Sequence, residues 1–430
     1  MAPKLVFLVD DILPSGRIIT VTDRIRDQSF NFQPNIYQRV NNLYAKYCGN
    51  LIQFMPARDF NAPEPGVKYM YFVPMNDWHW TMQQVFFMIE KDIQRKFVEH
   101  NVPIFFCQDI EMYPNMQFQF MANYFGLLEL FKNAHSFPEI NIVISVCALL
   151  EKNQEETLNR HFKDRIKLVV SPLQVPWTRD MVLERYTSVN TEFDPRAIFK
   201  EYLTSTKQKT YMCLNRDPKF SRIMMLHSLR AHGLLEYGFV SNQFPTHYQI
   251  QFNHTDNLYF ELLQRDIEKG MIPHMQVDTL AREVVEGAPN EGGTTNIIPL
   301  EHMNASCFDL VQETTTRYED KDVVDQGVIT DKIVRSLMFG RPFVVNGGPR
   351  VLEIIHKFGF KSCPYLFDER YDSESDFFKR MQMVLLQVSR WKDNTKGFMN
   401  VVRQEAANLE HNVDRVMNFP VEEMIIKSLE

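Results

Sequence analysis

Four polar residues near predicted strand and helix ends have types and spacing that suit a phosphorylated, hydroxyl-bearing ligand. Glu313 follows the apolar run Phe308–Gln312, which predicts a buried strand. Thr330 precedes a segment of helical spacing whose first turn carries Asp331 and Lys332. A carboxylate at a strand end can hold sugar or ribose hydroxyls, and a lysine beside the free N–H groups of a helix start can hold a diphosphate.

The elements that must position these residues form two α/β halves. Apolar strands without alternation, separated by helices, are typical of parallel sheets covered on both faces. Strands are predicted at Leu5–Val9, Tyr69–Val73, Ile104–Cys107, Ile142–Val146, Lys167–Val170, Tyr211–Leu214, Tyr237–Val240, Phe308–Gln312 and Pro342–Val345. Helices are predicted at Thr81–Glu99, Gln117–His135, Arg196–Ser205, Phe220–His232, Leu258–Glu268, Asp331–Phe339, Arg350–Phe358, Ser375–Trp391 and Thr395–Leu409.

The length of 430 residues suits two domains of about 200 residues each. We expect a first α/β domain over residues 1–185 and a second, ligand-binding α/β domain over residues 186–405, followed by a tail, 406–430. The Pro172–Trp177 and Asn190–Pro195 stretches are expected to connect the two halves. Open parallel sheets bind ligands at the carboxyl ends of their strands, so the chemistry is expected at those ends.

Two motifs resemble the donor site of the α1,3-fucosyltransferases. Glu313, Thr314 and Thr315 stand where that family has Glu-Asn-Ser, and Val328-Ile329-Thr330-Asp331-Lys332 resembles its Tyr-Val-Thr-Glu-Lys. Over about residues 208 to 400, the chain looks more like the glycosyltransferase-like proteins of large tailed bacteriophages and giant viruses than like the fucosyltransferases. Upstream, Asn215 ends a predicted strand and Arg222 enters the next helix, as the diphosphate-binding arginine of the family does.

The resemblance implies a GT-B-like fold, with two facing Rossmann-like domains, a cleft between them and the tail packed back on the first domain. It implies an enzyme that transfers a sugar from a nucleoside diphosphate to a hydroxyl, with inversion and without a metal. Arg222 and Lys332 would neutralise the leaving diphosphate. The other donor-binding residues implied are Asn215, Arg216, Glu313, Thr314, Thr330 and Asp331.

An inverting transfer needs a group that removes the acceptor proton, and the resemblance to GT-B enzymes implies that this catalytic base comes from the first domain. Asp109 and Glu111 follow the strand Ile104–Cys107 and are the first choice. One of them could instead cap the following helix, with the other in solvent. Asp10 and the adjacent Asp11, after the first strand, are the rivals.

Composition argues against several other classes of protein. Charged residues number 47 Lys plus Arg against 54 Asp plus Glu, a net charge of −7, which disfavours a general polyanion binder. The twelve histidines show no His-Glu-x-x-His pairing, and the six cysteines no Cys-x-x-Cys pair, so we expect no metal site and no cofactor apart from the nucleotide sugar as co-substrate. The apolar runs are too short to span a membrane, and no signal-peptide pattern is seen, so we expect a soluble, cytoplasmic protein, in the host cytoplasm if viral.

The acceptor is left open by the residues themselves. The phage-like resemblance implies a hydroxymethylated base in viral DNA, with glucose or arabinose as the sugar and duplex DNA as partner, that is, DNA modification. A cell-surface glycan or lipid-linked sugar is the rival acceptor. A third alternative is a non-catalytic protein that binds nucleotide sugars but lacks the base.

Overall fold

The chain forms two compact α/β units. The computed structural model describes residues 3–15, 17–20, 44–74, 89–108, 141–146, 148–149, 166–189, 192–215, 220–242, 300–313 and 327–430. One unit comprises residues 1–177 together with 420–430, and the other comprises residues 178–419. The sequence-based division placed the boundary after residue 185 and began the tail at residue 406.

The first unit contains a six-stranded parallel sheet in the order β4-β1-β5-β6-β7-β9. Every residue of Leu5–Val9 is buried, as the unalternating pattern predicted. Phe7 packs in the core against Phe72 and Phe105, with ring centroids 5.1 Å apart in both pairs. The strands of this unit are β1 Leu5–Val9, β2 Asp11–Ile12, β3 Ile18–Ile19, β4 Ile52–Pro56, β5 Lys68–Pro74, β6 Ile104–Gln108, β7 Ile142–Val146, β8 Ala148–Leu149 and β9 Ile166–Val170.

The helices of this part of the chain whose bounds lie within the described residues are α1 Lys91–Glu99 and α2 Gln174–Val189, and a 3-10 helix covers Ala57–Asp59. Helix α2 begins inside the Pro172–Trp177 stretch, which was expected to connect the two halves, and the boundary between the two units falls directly after Trp177. The predicted helix Gln117–His135 and the first part of Thr81–Glu99 lie outside the described residues.

The second unit contains a four-stranded parallel sheet in the order β11-β10-β12-β14. Its strands are β10 Lys209–Asn215, β11 Gly238–Asn242, β12 Ser306–Gln312, β13 Gly327–Val328 and β14 Phe343–Asn346. Its helices are α3 Pro195–Thr204, α4 Phe220–Ala231, α5 Leu300–Asn304, α6 Asp331–Met338, α7 Val351–Lys357, α8 Phe377–Trp391, α9 Thr395–Gln404 and α10 Ala406–Met417, with 3-10 turns at Leu235–Tyr237 and Glu369–Ser373. The sequence predicted one helix at Thr395–Leu409, whereas the structure has two helices there, α9 and α10. The predicted helix Leu258–Glu268 lies outside the described residues.

The last helix, α11 Val421–Leu429, belongs to the first unit. Its apolar side chains Val421, Met424, Ile425 and Ile426 are buried. Among the described residues, no helix combines the length and apolar character that crossing a bilayer requires.

Helix α6 is fixed to the sheet of the second unit near both of its ends. Thr330 caps its first turn and contacts Glu313 at the end of β12. Near its last turn, Ser336 donates a 2.8 Å hydrogen bond to Asp309, a residue in the middle of β12. Asp309 also pairs with the fully buried guanidinium of Arg341 at 2.8 Å. These bonds set the position of the α6 first turn relative to the strand end.

Both sheets have a strand order with a switch point, which is where open parallel sheets bind ligands. In the first unit β1 lies between β4 and β5, and in the second β10 lies between β11 and β12. The chain thus moves to one side of its first strand and then crosses to the other side. Ligands of open parallel sheets lie outside the carboxyl ends at this switch point. In the second unit, the switch point is the gap between the ends of β10 and β12.

Candidate functional site

Polar residues end the strands at the carboxyl edge of the second sheet. Asn215 ends β10, Gln312 ends β12 and is followed by Glu313, and Asn346 ends β14. Each is 1% exposed or less. Because burying polar groups costs free energy unless they find hydrogen bonds, such a cluster must be held by specific partners or by a ligand.

The carboxylate of Glu313 is bound to Thr330. The Thr330 Oγ1 atom lies 2.8 and 2.7 Å from the two carboxylate oxygens of Glu313, and the Thr330 N–H lies 3.4 Å from one of them. The same hydroxyl caps α6 by accepting the Lys332 N–H at 3.3 Å. The prediction that Thr330 caps this helix is confirmed. One hydroxyl thus joins the end of β12 to the start of α6.

Two glycines make room for this junction. A Cβ atom on Gly347 would lie 2.9 Å from the Glu313 Cβ. A Cβ atom on Gly327 would overlap the Pro349 carbonyl oxygen and lie 2.9 Å from the Val351 nitrogen. Close approach of the backbone, rather than an unusual torsion angle, therefore requires glycine at both positions.

The charges on the first turn of α6 face each other. The Lys332 Nζ atom lies 3.1 Å from Asp331 Oδ1 and 3.3 Å from Thr330 Oγ1. Asp331 also lies 3.9 Å from Arg335. The side chains of Lys332 and Arg335 are 19% and 15% exposed, so both are partly accessible to solvent.

On the other side of the cluster, Arg222 lies on the first turn of α4 and is 2% exposed. The Asn215 Nδ2 atom donates to the Cys213 thiol at 3.4 Å. Burial raises the pKa of Cys213 to about 12, while hydrogen bonds from Asn215 and Gln312 and the charge of Arg222 act in the opposite direction. The thiol is therefore protonated at neutral pH and is not a nucleophile.

Sequence reasoning left Ser221, Gln312 and Asn346 out of the site. Asn346 Nδ2 donates to Gln312 Oε1 at 2.7 Å and lies 3.5 Å from the Ser221 carbonyl oxygen. Ser221 Oγ and Asn346 Oδ1 are buried and have no hydrogen-bond partner among the described residues. The sequence feature that could have identified these residues was their position, since all three lie at a predicted strand end or helix start.

A surface pocket of about 550 Å³ lies beside α7, where Asp372 caps the helix. The Asp372 carboxylate accepts the N–H groups of Val351 and Leu352 at 2.9 and 3.1 Å. Burial raises the pKa of Asp372 to about 6 against the effect of these two bonds. The Asp372 carboxylate therefore occupies the N–H groups of Val351 and Leu352 at the start of α7.

In the first unit, Asp10 follows β1 at the switch point beside β5, and its carboxylate accepts the hydroxyl of buried Tyr71. Neighbouring Asp11 pairs with Arg58 at 2.8 Å. The other predicted site residues, Asp109, Glu111, Arg216 and Thr314, lie outside the described residues. In the described part of the chain, no three acidic, histidine or cysteine residues are grouped so that they could hold a metal ion.

The comparisons with known proteins give no relative. No family model, no curated protein sequence and no solved structure matches this chain.

Proposed function

We propose that the chain is a nucleotide-sugar-dependent glycosyltransferase that binds its donor at the switch point of the second sheet. The observation that carries the proposal is the buried polar cluster at the ends of β10, β12 and β14, with one cation on the first turn of α4 and one on the first turn of α6. Arg222 is the cation of α4 and Lys332 that of α6. A diphosphate is a ligand that two cations and two helix starts at one sheet edge would suit.

The two sides of the cluster have different roles in this proposal. Glu313 is bound to Thr330, so its role is to position α6 and Lys332. On the α4 side, the Ser221 hydroxyl can donate to a hydroxyl or phosphate oxygen of the donor, and Asn346 Oδ1 can accept a hydrogen bond from a donor hydroxyl. Arg222 supplies the charge that stabilises the diphosphate as it leaves.

The remaining parts of the proposal come from the resemblance of the motifs. They are a GT-B fold, inversion without a metal, and a hydroxyl acceptor. Asp10 is the proposed base among the described residues, since it stands at the switch point of the first sheet. Asp109 and Glu111 stay predictions, as do duplex DNA as partner and a hydroxymethylated base of viral DNA as acceptor.

A thermal-shift screen tests the donor site. The diphosphates of uridine, guanosine, adenosine, cytidine and thymidine, and their sugar conjugates, are each added to the whole chain. One of these ligands should raise the melting temperature of the protein. A ligand at a hundred times its dissociation constant adds about 2.7 kcal/mol of stability. No shift with any of them would contradict the proposal.

Release of free sugar from the stabilising conjugate separates an enzyme from a binding protein. A transferase that holds its donor next to water should hydrolyse it slowly, and the Asp10→Asn variant should bind donor normally yet lose transfer by about a hundredfold. Binding without any hydrolysis or transfer would support the non-catalytic alternative.

A further inference from the structure

Four consecutive backbone N–H groups converge on one carboxylate oxygen in the first unit. The N–H groups of Gly49, Asn50, Leu51 and Ile52 lie 2.7, 3.0, 3.0 and 3.0 Å from Glu422 Oε1. Glu422 is on the first turn of α11, about 370 residues further along the chain. Successive N–H groups that point into one concavity form an anion-binding nest.

The electrostatics of the carboxyl group agree with a nest. Partial burial by itself raises the pKa of Glu422, but the four N–H bonds outweigh burial and the net pKa is lowered. A neutral oxygen rarely accepts four donors, whereas a full negative charge gains from each of them. The arrangement therefore favours an anion.

The nest is anchored by bonds that do not involve Glu422. On one side, the Cys48 N–H donates to the Tyr44 carbonyl at 2.9 Å. On the other, the Leu51 carbonyl accepts the N–H groups of Lys4 and Leu5 at 2.8 and 3.1 Å, which ties the loop to β1. We expect the four N–H groups to keep their directions when the Glu422 side chain is removed.

A second polar contact holds helix α11 near its other end, where the Lys68 Nζ atom lies 3.5 Å from the Leu429 carbonyl oxygen. Ile52 begins β4 and Lys68 begins β5, so both ties lie at the amino edge of the six-stranded sheet. This edge is opposite to the carboxyl ends at which parallel sheets bind ligands.

We infer that Gly49–Ile52 is an oxyanion-binding site whose resident ligand is the carboxylate of Glu422. The site recognises one oxygen of a carboxylate or phosphate group. The carboxylate of α11 fills it from within the same chain and so fastens residues 420–430 to the first unit. When that carboxylate is absent, a small oxyanion from solution takes its place.

The test is rescue of a Glu422→Ala variant by acetate. Glu423→Ala is the matched control, because Glu423 is the next acidic residue of the same first turn and is exposed. In chloride buffer, Glu422→Ala should melt about 4–8 °C below the wild type, and Glu423→Ala within about 1 °C of it. Sodium acetate at constant ionic strength should then restore roughly half of the loss in Glu422→Ala and leave the other two proteins unchanged.

A second variant keeps the test decisive if Glu422→Ala folds poorly. Glu422→Gln retains the shape of the side chain but offers a neutral oxygen, so it should melt between the wild type and Glu422→Ala and should not respond to acetate. Inorganic phosphate is the second probe and should also stabilise Glu422→Ala. Equal melting temperatures for Glu422→Ala and Glu423→Ala, or an acetate effect of the same size in all four proteins, would overturn the inference.

Discussion

Replacing Thr330 by valine should destabilise the second unit strongly, because one hydroxyl serves two structural purposes. Valine keeps the size of the side chain but removes the Oγ1 atom that contacts both oxygens of Glu313 and accepts the Lys332 N–H. Loss of a helix cap costs about 1 kcal/mol. Depriving a buried charged acceptor of a hydrogen bond costs about 1.5–3 kcal/mol more. We therefore expect the free energy of unfolding to fall by about 2.5–4 kcal/mol. Native proteins usually have a free energy of unfolding of about 5–15 kcal/mol, so this is a large part of the total.

Urea unfolding followed by circular dichroism at pH 7 measures this loss. Thr330→Ser is the matched control, since it keeps the hydroxyl and removes only a methyl group, and it should lose about 1 kcal/mol. The double variant with Glu313→Gln should show an interaction energy between the two residues, within the usual range of about 0.5–3 kcal/mol. If Thr330→Val and Thr330→Ser unfold at the same urea concentration, the hydroxyl does not join β12 to α6 and the reasoning is refuted.

Three further predictions concern packing and pH. Gly327→Ala should cost about 1–3 kcal/mol through overlap with the Pro349 carbonyl, whereas Gly49→Ala, with no atom within 4 Å of the new Cβ, should cost little in the same urea assay. Asp372 has a raised pKa of about 6, so the folded state binds the extra proton; its contribution to stability should increase by about 2–3 kcal/mol as pH falls from 7 to 4, measured as the difference between the wild type and Asp372→Asn. Glu422 has a lowered pKa, so its contribution should be present above about pH 4.3 and disappear as pH falls further, a slope that Glu422→Gln should lose.

Local sequence patterns predicted the strand and the helix that carry the candidate site. The strand β12 and the start of α6 were predicted because an apolar run and a capping threonine act over a few residues. Helix α2, whose first turn contains Pro176, was not predicted. Proline is tolerated in the first turn of a helix, where its missing N–H has no intrahelical partner.

Long-range partners were not predictable from the sequence. Asp372 binds N–H groups about 20 residues earlier in the chain, and Glu422 binds a loop about 370 residues earlier. The strand β4, Ile52–Pro56, was missed because glutamine and proline interrupt its apolar pattern. The pairing of Glu313 with Thr330 likewise depends on how α6 packs, although each residue alone was predicted to lie near the site.

Calorimetric titration of nucleoside diphosphates into the wild type, Lys332→Ala and Lys379→Ala tests the donor site most directly. Lys379 is the control because it also lies in the first turn of a helix and is exposed. The proposed donor site predicts that one nucleoside diphosphate binds the wild type and Lys379→Ala in a one-to-one ratio. Binding to Lys332→Ala should be roughly ten- to hundredfold weaker. The absence of binding heat with every nucleoside diphosphate, or equal affinity for all three proteins, would contradict it.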